Sequence, residues 1–191
     1  MTNSEMSKLA SITLAPYIQK ATSLIGVPRK IGGNAYRHCF YVLGCLIDYH
    51  YIDPVILKAG IIHDLFEDYP DFDRNEIIAI DEDGQRVLEI ALELSHFKTV
   101  GTKEHYLSNL KHSSRECKII KCADRISNLM DLSIAVFRDE KVRRIIQETV
   151  DYIVPLAEEV DTNMLKELKD LVESRSQLLN FFEEKIKQSK L

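Results

Sequence analysis

Apolar side chains recur every three or four residues along most of this chain, which is the spacing of one buried face of an α-helix. The first stripe predicts a helix over residues 4–25 and consists of Met6, Leu9, Ile12, Leu14, Tyr17 and Ile18. A second predicted helix runs from Ala35 to about His50, and a third runs from Pro54 to about Asp68. The third is apolar nearly all round, so we expect it to lie in the core.

Short interruptions separate the predicted helices. A proline and two adjacent glycines favour a loop over residues 27–34, and Asp53-Pro54 combines an N-cap residue with proline at the first helical position. Ser113 or Ser114 is expected to cap a later helix. Alternation with a period of two is absent, so we predict an all-α fold with no significant sheet. The remaining predicted helices cover residues 73–80, 85–95, 103–110, 139–160 and 162–187.

The composition agrees with one helical domain over residues 1–191. Only 7 glycines and 5 prolines occur, and these two residues are the least suited to helix interiors. The net charge of −5 provides no basic excess for a phosphate backbone, so we expect no nucleic-acid partner. No stretch suits a membrane helix or a signal peptide, which predicts a cytoplasmic protein without membrane association. Four cysteines without C-x-x-C spacing are predicted to be reduced core residues: Cys39, Cys45, Cys117 and Cys122.

The strongest local signal for chemistry is the run His63-Asp64-Leu65-Phe66-Glu67-Asp68, at the end of the most apolar predicted helix. Charged groups are rarely buried without a partner, because an isolated buried carboxylate is costly. On a continuous helix, His63 and Glu67 share one face, since they are four residues apart, and so do Asp64 and Asp68. His63 and Asp64 can hold one cation only if other helices supply further ligands.

Two other predicted helices can supply those ligands. His38 shares the apolar stripe of its helix, and Asp124 lies on an otherwise apolar helix. Two histidines with two carboxylates suit a borderline divalent ion such as Mn²⁺, Fe²⁺ or Zn²⁺. Such an ion lowers the pKa of a bound water molecule and makes it a nucleophile. Glu67 and Asp68, one turn beyond the ligands, are placed to orient that water and to move protons.

Each candidate also has a purely structural interpretation. A His-Asp pair at a helix end is commonly a cap or a surface salt bridge, and His38 alone is typical of a satisfied core histidine. Asp124 could pair with Arg125, and Asn128 could complete a hydrogen bond at a helix end. The coincidence of polar residues on three apolar helix faces favours the metal site over these alternatives.

Basic residues lie close in sequence to the candidate ligands, in spite of the negative net charge. Arg29-Lys30 precede His38 on the glycine-bearing loop, and Lys121 comes one helical turn before Asp124. Arginine stacks on planar bases and binds phosphate through two parallel hydrogen bonds, while lysine acts as a compact counter-charge. A cation site flanked by basic groups indicates a phosphorylated substrate.

The order of these motifs resembles the HD superfamily of metal-dependent phosphohydrolases. The element His63-Asp64-x-x-Glu67-Asp68 is similar to that of the single-domain small alarmone hydrolases and of the hydrolase domain of the bifunctional alarmone enzymes. Arg29-Lys30-Ile31-Gly32 resembles the family's Arg-Lys-x-Gly loop, and residues 121–128 resemble its Lys-x-Ala-Asp-(Arg/Lys)-x-x-Asn element. The resemblance covers about residues 5–160, followed by a C-terminal helix over residues 161–191.

This resemblance implies an HD-domain helical bundle that removes the 3′-diphosphate from ppGpp and pppGpp. It implies Mn²⁺ as the cofactor, with other divalent transition metals as alternatives. The matched positions are the metal ligands His38, His63, Asp64 and Asp124, the water-positioning residues Glu67 and Asp68, the guanine-binding residues Arg29 and Lys30, and Lys121 and Asn128 near the ribose and phosphates.

The chain also departs from the family pattern. Cys39 follows the first histidine, where the family usually has proline, and Phe66 and Met130 replace an aliphatic residue and an arginine. Two other functions stay open: the same site acting on a nucleoside 5′-monophosphate or on the 2′-phosphate of NADPH, and a catalytically silent nucleotide-binding module. We expect a small-molecule nucleotide as ligand, and the sequence leaves a homo-oligomer open.

Overall fold

The computed structural model describes residues 1–97, 99–132 and 139–188, and within these ranges the fold is all-α, as predicted. The described residues contain no strand, and their one isolated β-bridge joins Pro28 to Asn34 across the loop before the third helix. The helices are α1 (Asn3–Ser11), α2 (Ala15–Ala21), α3 (Ala35–Asp48), α4 (Pro54–Ile61), α5 (Leu65–Asp68), α6 (Asn75–Ile78), α7 (Gly84–Leu94), α8 (Lys103–Asn109), α9 (Arg115–Met130), α10 (Asp139–Glu148), α11 (Val154–Val160) and α12 (Thr162–Gln188).

Helix α9 lies at the centre of the bundle and packs against α3, α4, α7, α11 and α12. Its apolar residues other than Met130 are buried on several sides, and so are Asp124, Arg125 and Ser127. Ser114 caps the helix by accepting a hydrogen bond from the backbone N–H of Cys117 at 3.2 Å. This central position makes α9 the element from which a buried polar side chain can reach a site between helices.

The helix predicted over residues 4–25 is wrong as a single element. It is divided into α1, α2 and a 3₁₀ turn over Thr22–Gly26. Pro16 lies in the first turn of α2, where its missing N–H is tolerated, but it cannot continue a helix that began before it. The apolar spacing persists across the break, so periodicity alone did not reveal it.

The helix predicted from Pro54 to Asp68 is also divided. Asp53 caps its start as expected, accepting hydrogen bonds from Val55 and Ile56 N–H at 2.9 and 3.1 Å. The helix ends at Ile61, and a turn precedes the short α5. The predicted helical pairing of His63 with Glu67 therefore fails, because His63 and Asp64 lie in that turn.

The helix predicted over residues 139–160 changes its winding in the middle. A π-helical turn over Thr149–Ile153 separates α10 from α11. Pro155 follows that turn and has no N–H to donate to the carbonyl four residues earlier, which breaks the regular hydrogen-bond ladder. None of the helices in the described ranges combines the length and the apolar composition needed to cross a membrane.

Candidate metal centre and substrate cleft

The four predicted ligands come together from three elements: α3, the turn after α4, and α9. His38 Nε2 lies 3.0 Å from Asp124 Oδ1, and His63 Nε2 lies 3.9 Å from the same oxygen. Potential ligand atoms of His38, His63 and Asp124 all lie within 4.8 Å of one another. Asp64 joins them through His63, whose Nε2 is 3.2 Å from Asp64 Oδ1. Both histidines and Asp124 are buried, so a surface salt bridge does not describe this cluster.

Backbone and hydroxyl groups hold the two imidazole rings. His63 Nδ1 lies 2.8 Å from the carbonyl oxygen of Gly60 and must donate to it, because a carbonyl oxygen only accepts. In the neutral form that binds a metal, His63 Nε2 then carries a lone pair that faces carboxylate oxygens. Nε2 is buried without a hydrogen-bond partner among the described residues. His38 Nδ1 lies 3.2 Å from Ser127 Oγ, on the side of the ring away from Asp124. A lone pair facing carboxylate oxygens fits a cation, so the donor set suits a divalent metal ion.

The charges around the cluster favour a positive ion in the same place. Burial opposes protonation of His63, but the adjacent Asp64 carboxylate outweighs it and raises the pKa of His63 well above its usual value. Burial likewise opposes ionisation of Asp124, but Lys121 and the two histidines hold the pKa of that carboxyl well below its usual value. The site therefore keeps Asp124 ionised and stabilises positive charge beside it.

Asn128 and Arg29 form a hydrogen-bonded chain that ends on Asp124. Arg29 Nη2 donates to Asn128 Oδ1 at 2.7 Å, and Asn128 Nδ2 donates to Asp124 Oδ1 at 2.5 Å. Lys121 Nζ lies 2.9 Å from Asp124 Oδ2, so the candidate pairing of Asp124 with Arg125 is wrong and Lys121 takes that position. In this structure Asn128 and Lys121 both contact a proposed metal ligand as well as lining the adjacent cleft.

A cleft of about 660 Å³ opens above the cluster. Every predicted site residue except His63 lines it, and His63 is buried. Glu67 and Asp68 are exposed on its wall, and Glu67 Oε2 accepts a hydrogen bond from the backbone N–H of His96 at 3.1 Å. The exposed Lys30 lies on the loop that forms another part of the wall, next to Arg29.

Four basic residues that the sequence reasoning did not assign also line the cleft. Among the residues that the structure describes, they bring the charged lining of the cleft to seven basic and five acidic side chains, against a chain charge of −5. Sequence signals existed for two of them, because Lys141 and Arg144 are three residues apart and share a helix face. The folding of α10 beside the cleft could not be read from that spacing. The four residues are Lys103, Arg125, Lys141 and Arg144.

Known proteins resemble this chain in sequence and in fold. No protein-family model matches the chain. A protein of Synechocystis sp., named as a probable guanosine-3′,5′-bis(diphosphate) 3′-pyrophosphohydrolase, is 30% identical over 164 residues, which cover 82% of this chain and 19% of that protein. The chain therefore spans about a fifth of the length of this relative.

A solved structure of a metazoan ortholog of SpoT, described as hydrolysing ppGpp and acting in starvation responses, has the same fold. It superposes with a TM-score of 0.73 at 21% sequence identity, covering 85% of this chain and 94% of that one. The shared fold includes most of both chains.

Proposed function

The chain is a relative of the guanosine-3′,5′-bis(diphosphate) 3′-pyrophosphohydrolases of the HD type, and from that premise we propose that it removes the 3′-diphosphate from ppGpp and pppGpp. The observation that carries this proposal is the meeting of a buried His/Asp cluster with a cleft rich in basic side chains. The cluster suits a divalent ion, and the cleft suits a ligand with several phosphate groups.

We propose that Mn²⁺ is the ion and that His38, His63, Asp64 and Asp124 hold it. When bound there, it would supply Lewis-acid activation of water and of a phosphoryl oxygen. The protein fixes the donors beforehand, since Gly60 orients the His63 ring. Preorganised ligands of this kind do not have to be reordered when the ion binds.

Glu67 and Asp68 are proposed to handle the protons. Both carboxylates face the cleft from α5, one turn past Asp64, and the N–H of His96 holds Glu67 in place. Water adds to the phosphorus bonded to the ribose O3′, and the P–O3′ bond breaks. A carboxylate takes the proton from the water, and O3′ gains a proton as it leaves. The products from ppGpp are pyrophosphate and GDP.

The basic side chains are proposed to bind the phosphate groups and the base. Burial and the nearby positive charges of Lys30, Arg144 and Lys103 lower the pKa of Lys141. This repulsion among cations would be relieved by a polyanion in the cleft. Arg29 is held by Asn128, which keeps its planar guanidinium in one orientation, as stacking on a guanine base requires.

The direct test is turnover of ppGpp by the purified 191-residue chain, with and without Mn²⁺, and identification of the released group. We expect Mn²⁺-dependent release of pyrophosphate, whereas release of orthophosphate, or equal turnover of a nucleoside 5′-monophosphate, would contradict the proposal. Asp64→Ala should lose both bound metal and turnover. Glu67→Gln should keep bound metal and lose turnover, with Glu89→Gln as the control, since Glu89 is exposed and bonds Gln85 and Arg86.

Three further predictions from the sequence accompany this proposal. The cytoplasmic location and the absence of a nucleic-acid partner stay predictions. So does the homo-oligomer that the sequence leaves open. Gel filtration with light scattering would determine the oligomeric state of the purified chain.

A further inference from the structure

Cys39 lies beside the proposed metal centre, on α3 immediately after His38, and its side chain is 0% exposed. Its Sγ, a ring nitrogen of His63 and a carboxylate oxygen of Asp64 all lie within 4.8 Å of one another. These three residues form a second group of potential ligands, which we call the thiol set. It shares His63 with the group formed by His38, His63 and Asp124, which we call the histidine–carboxylate set.

A second observation points to a ligand at the thiol set. His63 is 3% exposed, and its Nε2 has no hydrogen-bond partner among the described residues. Its Nδ1 is already engaged with the Gly60 carbonyl. Nε2 lies 3.2 Å from Asp64 Oδ1, and a ring nitrogen of His63 lies within 4.8 Å of the Cys39 sulfur.

The two sets differ in the ions they prefer. Carboxylate and imidazole donors suit Mn²⁺ and Fe²⁺, while a thiolate adds preference for softer ions such as Zn²⁺ or Co²⁺. In a tetrahedral Zn²⁺ site the sulfur and nitrogen ligands are about 3.6 Å apart, given Zn–S and Zn–N distances of about 2.3 and 2.05 Å. Atoms already within 4.8 Å need only small shifts to reach that spacing.

We propose that Cys39, His63 and Asp64 form a second cation position that binds a thiophilic divalent ion, Zn²⁺ or Co²⁺. The thiol loses its proton to solvent when the ion binds. His63 belongs to both sets, and Asp64 is also proposed above to hold Mn²⁺. An ion held by Cys39 and an ion held by the histidine–carboxylate set therefore exclude each other. The proposal depends on the placement of these residues and not on the identity of the nucleotide substrate.

The test is a Co²⁺ titration of the reduced, metal-free chain, followed by absorption spectroscopy. A cysteine sulfur bound to Co²⁺ produces a charge-transfer band in the near ultraviolet that nitrogen and oxygen ligands do not produce. We expect the band in the wild type and in Cys117→Ser, a matched control because Cys117 is also 0% exposed. We expect it to be absent in Cys39→Ser and Cys39→Ala. No band in the wild type, or a band retained in both Cys39 variants, would overturn the proposal.

Folding of the variants is checked by circular dichroism before each titration. If neither Cys39 variant folds, single variants Cys45→Ser, Cys117→Ser and Cys122→Ser decide the assignment. A band that persists in all three assigns the sulfur to Cys39, whereas a band lost in any one of them assigns it elsewhere and overturns the proposal.

A competition experiment provides a second measurement. In Cys39→Ala the ratio of Zn²⁺ affinity to Mn²⁺ affinity should fall at least about tenfold, because only the thiol set loses a ligand. An unchanged ratio would overturn the proposal. Neither experiment uses ppGpp, so absence of ppGpp turnover together with a sulfur–cobalt band would reject the proposed function and leave this inference standing.

Discussion

Replacing Ser127 by alanine would separate the orientation of a metal ligand from contact with substrate. Ser127 Oγ lies 3.2 Å from His38 Nδ1, and the residue is 5% exposed. The residues that line the substrate cleft do not include Ser127, so its loss removes no contact in that cleft. Any effect on metal binding must pass through His38.

The expected magnitude follows from what the hydroxyl does. When His38 Nδ1–H donates to Ser127 Oγ, the lone pair of Nε2 points toward Asp124. Without the hydroxyl, Nδ1 is buried and unpaired, which should lower the free energy of unfolding by about 1–3 kcal/mol. Loss of the group that orients the ring should weaken Mn²⁺ binding about 10–100-fold, which corresponds to about 1.4–2.7 kcal/mol.

Calorimetric titration of metal-free protein with Mn²⁺ measures the affinity, and urea unfolding measures the stability. Ser95→Ala is the matched control, because Ser95 is 4% exposed and its Oγ donates to the Ala91 carbonyl at 2.7 Å. We expect a comparable loss of stability in the control with unchanged Mn²⁺ affinity. If Ser127→Ala bound Mn²⁺ as tightly as the wild type while losing the same stability, the argument that Ser127 orients His38 would be refuted.

Further predictions concern stability. Gly84→Ala should lower the free energy of unfolding by about 1–3 kcal/mol, since a Cβ there would lie 2.5 Å from the Ile77 carbonyl oxygen. Gly44→Ala should raise the free energy of unfolding by about 0.5–1 kcal/mol, because Gly44 lies inside α3 and a Cβ there would meet no atom within 4 Å. Urea unfolding that showed the same sign for both would contradict this. Burial opposes ionisation of Asp81, but the Lys58 ammonium holds the pKa of Asp81 below its usual value. The Asp81–Lys58 pair therefore stabilises the fold at pH values above the unfolded-state pKa of Asp81, about 3.9. This stabilisation is lost as the pH falls through the lower pKa of Asp81 in the folded state. In the Asp81→Asn variant, the free energy of unfolding should therefore decrease less than in the wild type as the pH is lowered through the acidic range. Finally, Mn²⁺ at 100 times its Kd should stabilise the metal-free protein by about 2.7 kcal/mol in thermal unfolding, and excess EDTA should reverse it.

The helices that could be predicted from the sequence are those whose apolar stripe and cap agree. The caps at Asp53 and Ser114 were found because a capping side chain acts on N–H groups two or three residues away. The breaks near Pro16 and at Ile62 were missed because both leave the apolar spacing intact. A period reports which face is buried, and a short turn between two helices does not always change it.

The sequence by itself determined that the chain is helical, which helices carry polar residues on apolar faces, and which ten residues are candidates for the site. These are properties of neighbouring residues and of motif order. Only the tertiary structure decided that Lys121 and not Arg125 pairs with Asp124, and that Arg29 reaches it through Asn128. It also decided which cations line the cleft and that the sulfur of Cys39 approaches His63. Such contacts depend on where α3, α9 and the turn after α4 meet, and residues distant in the chain acquire common neighbours only when the helices pack.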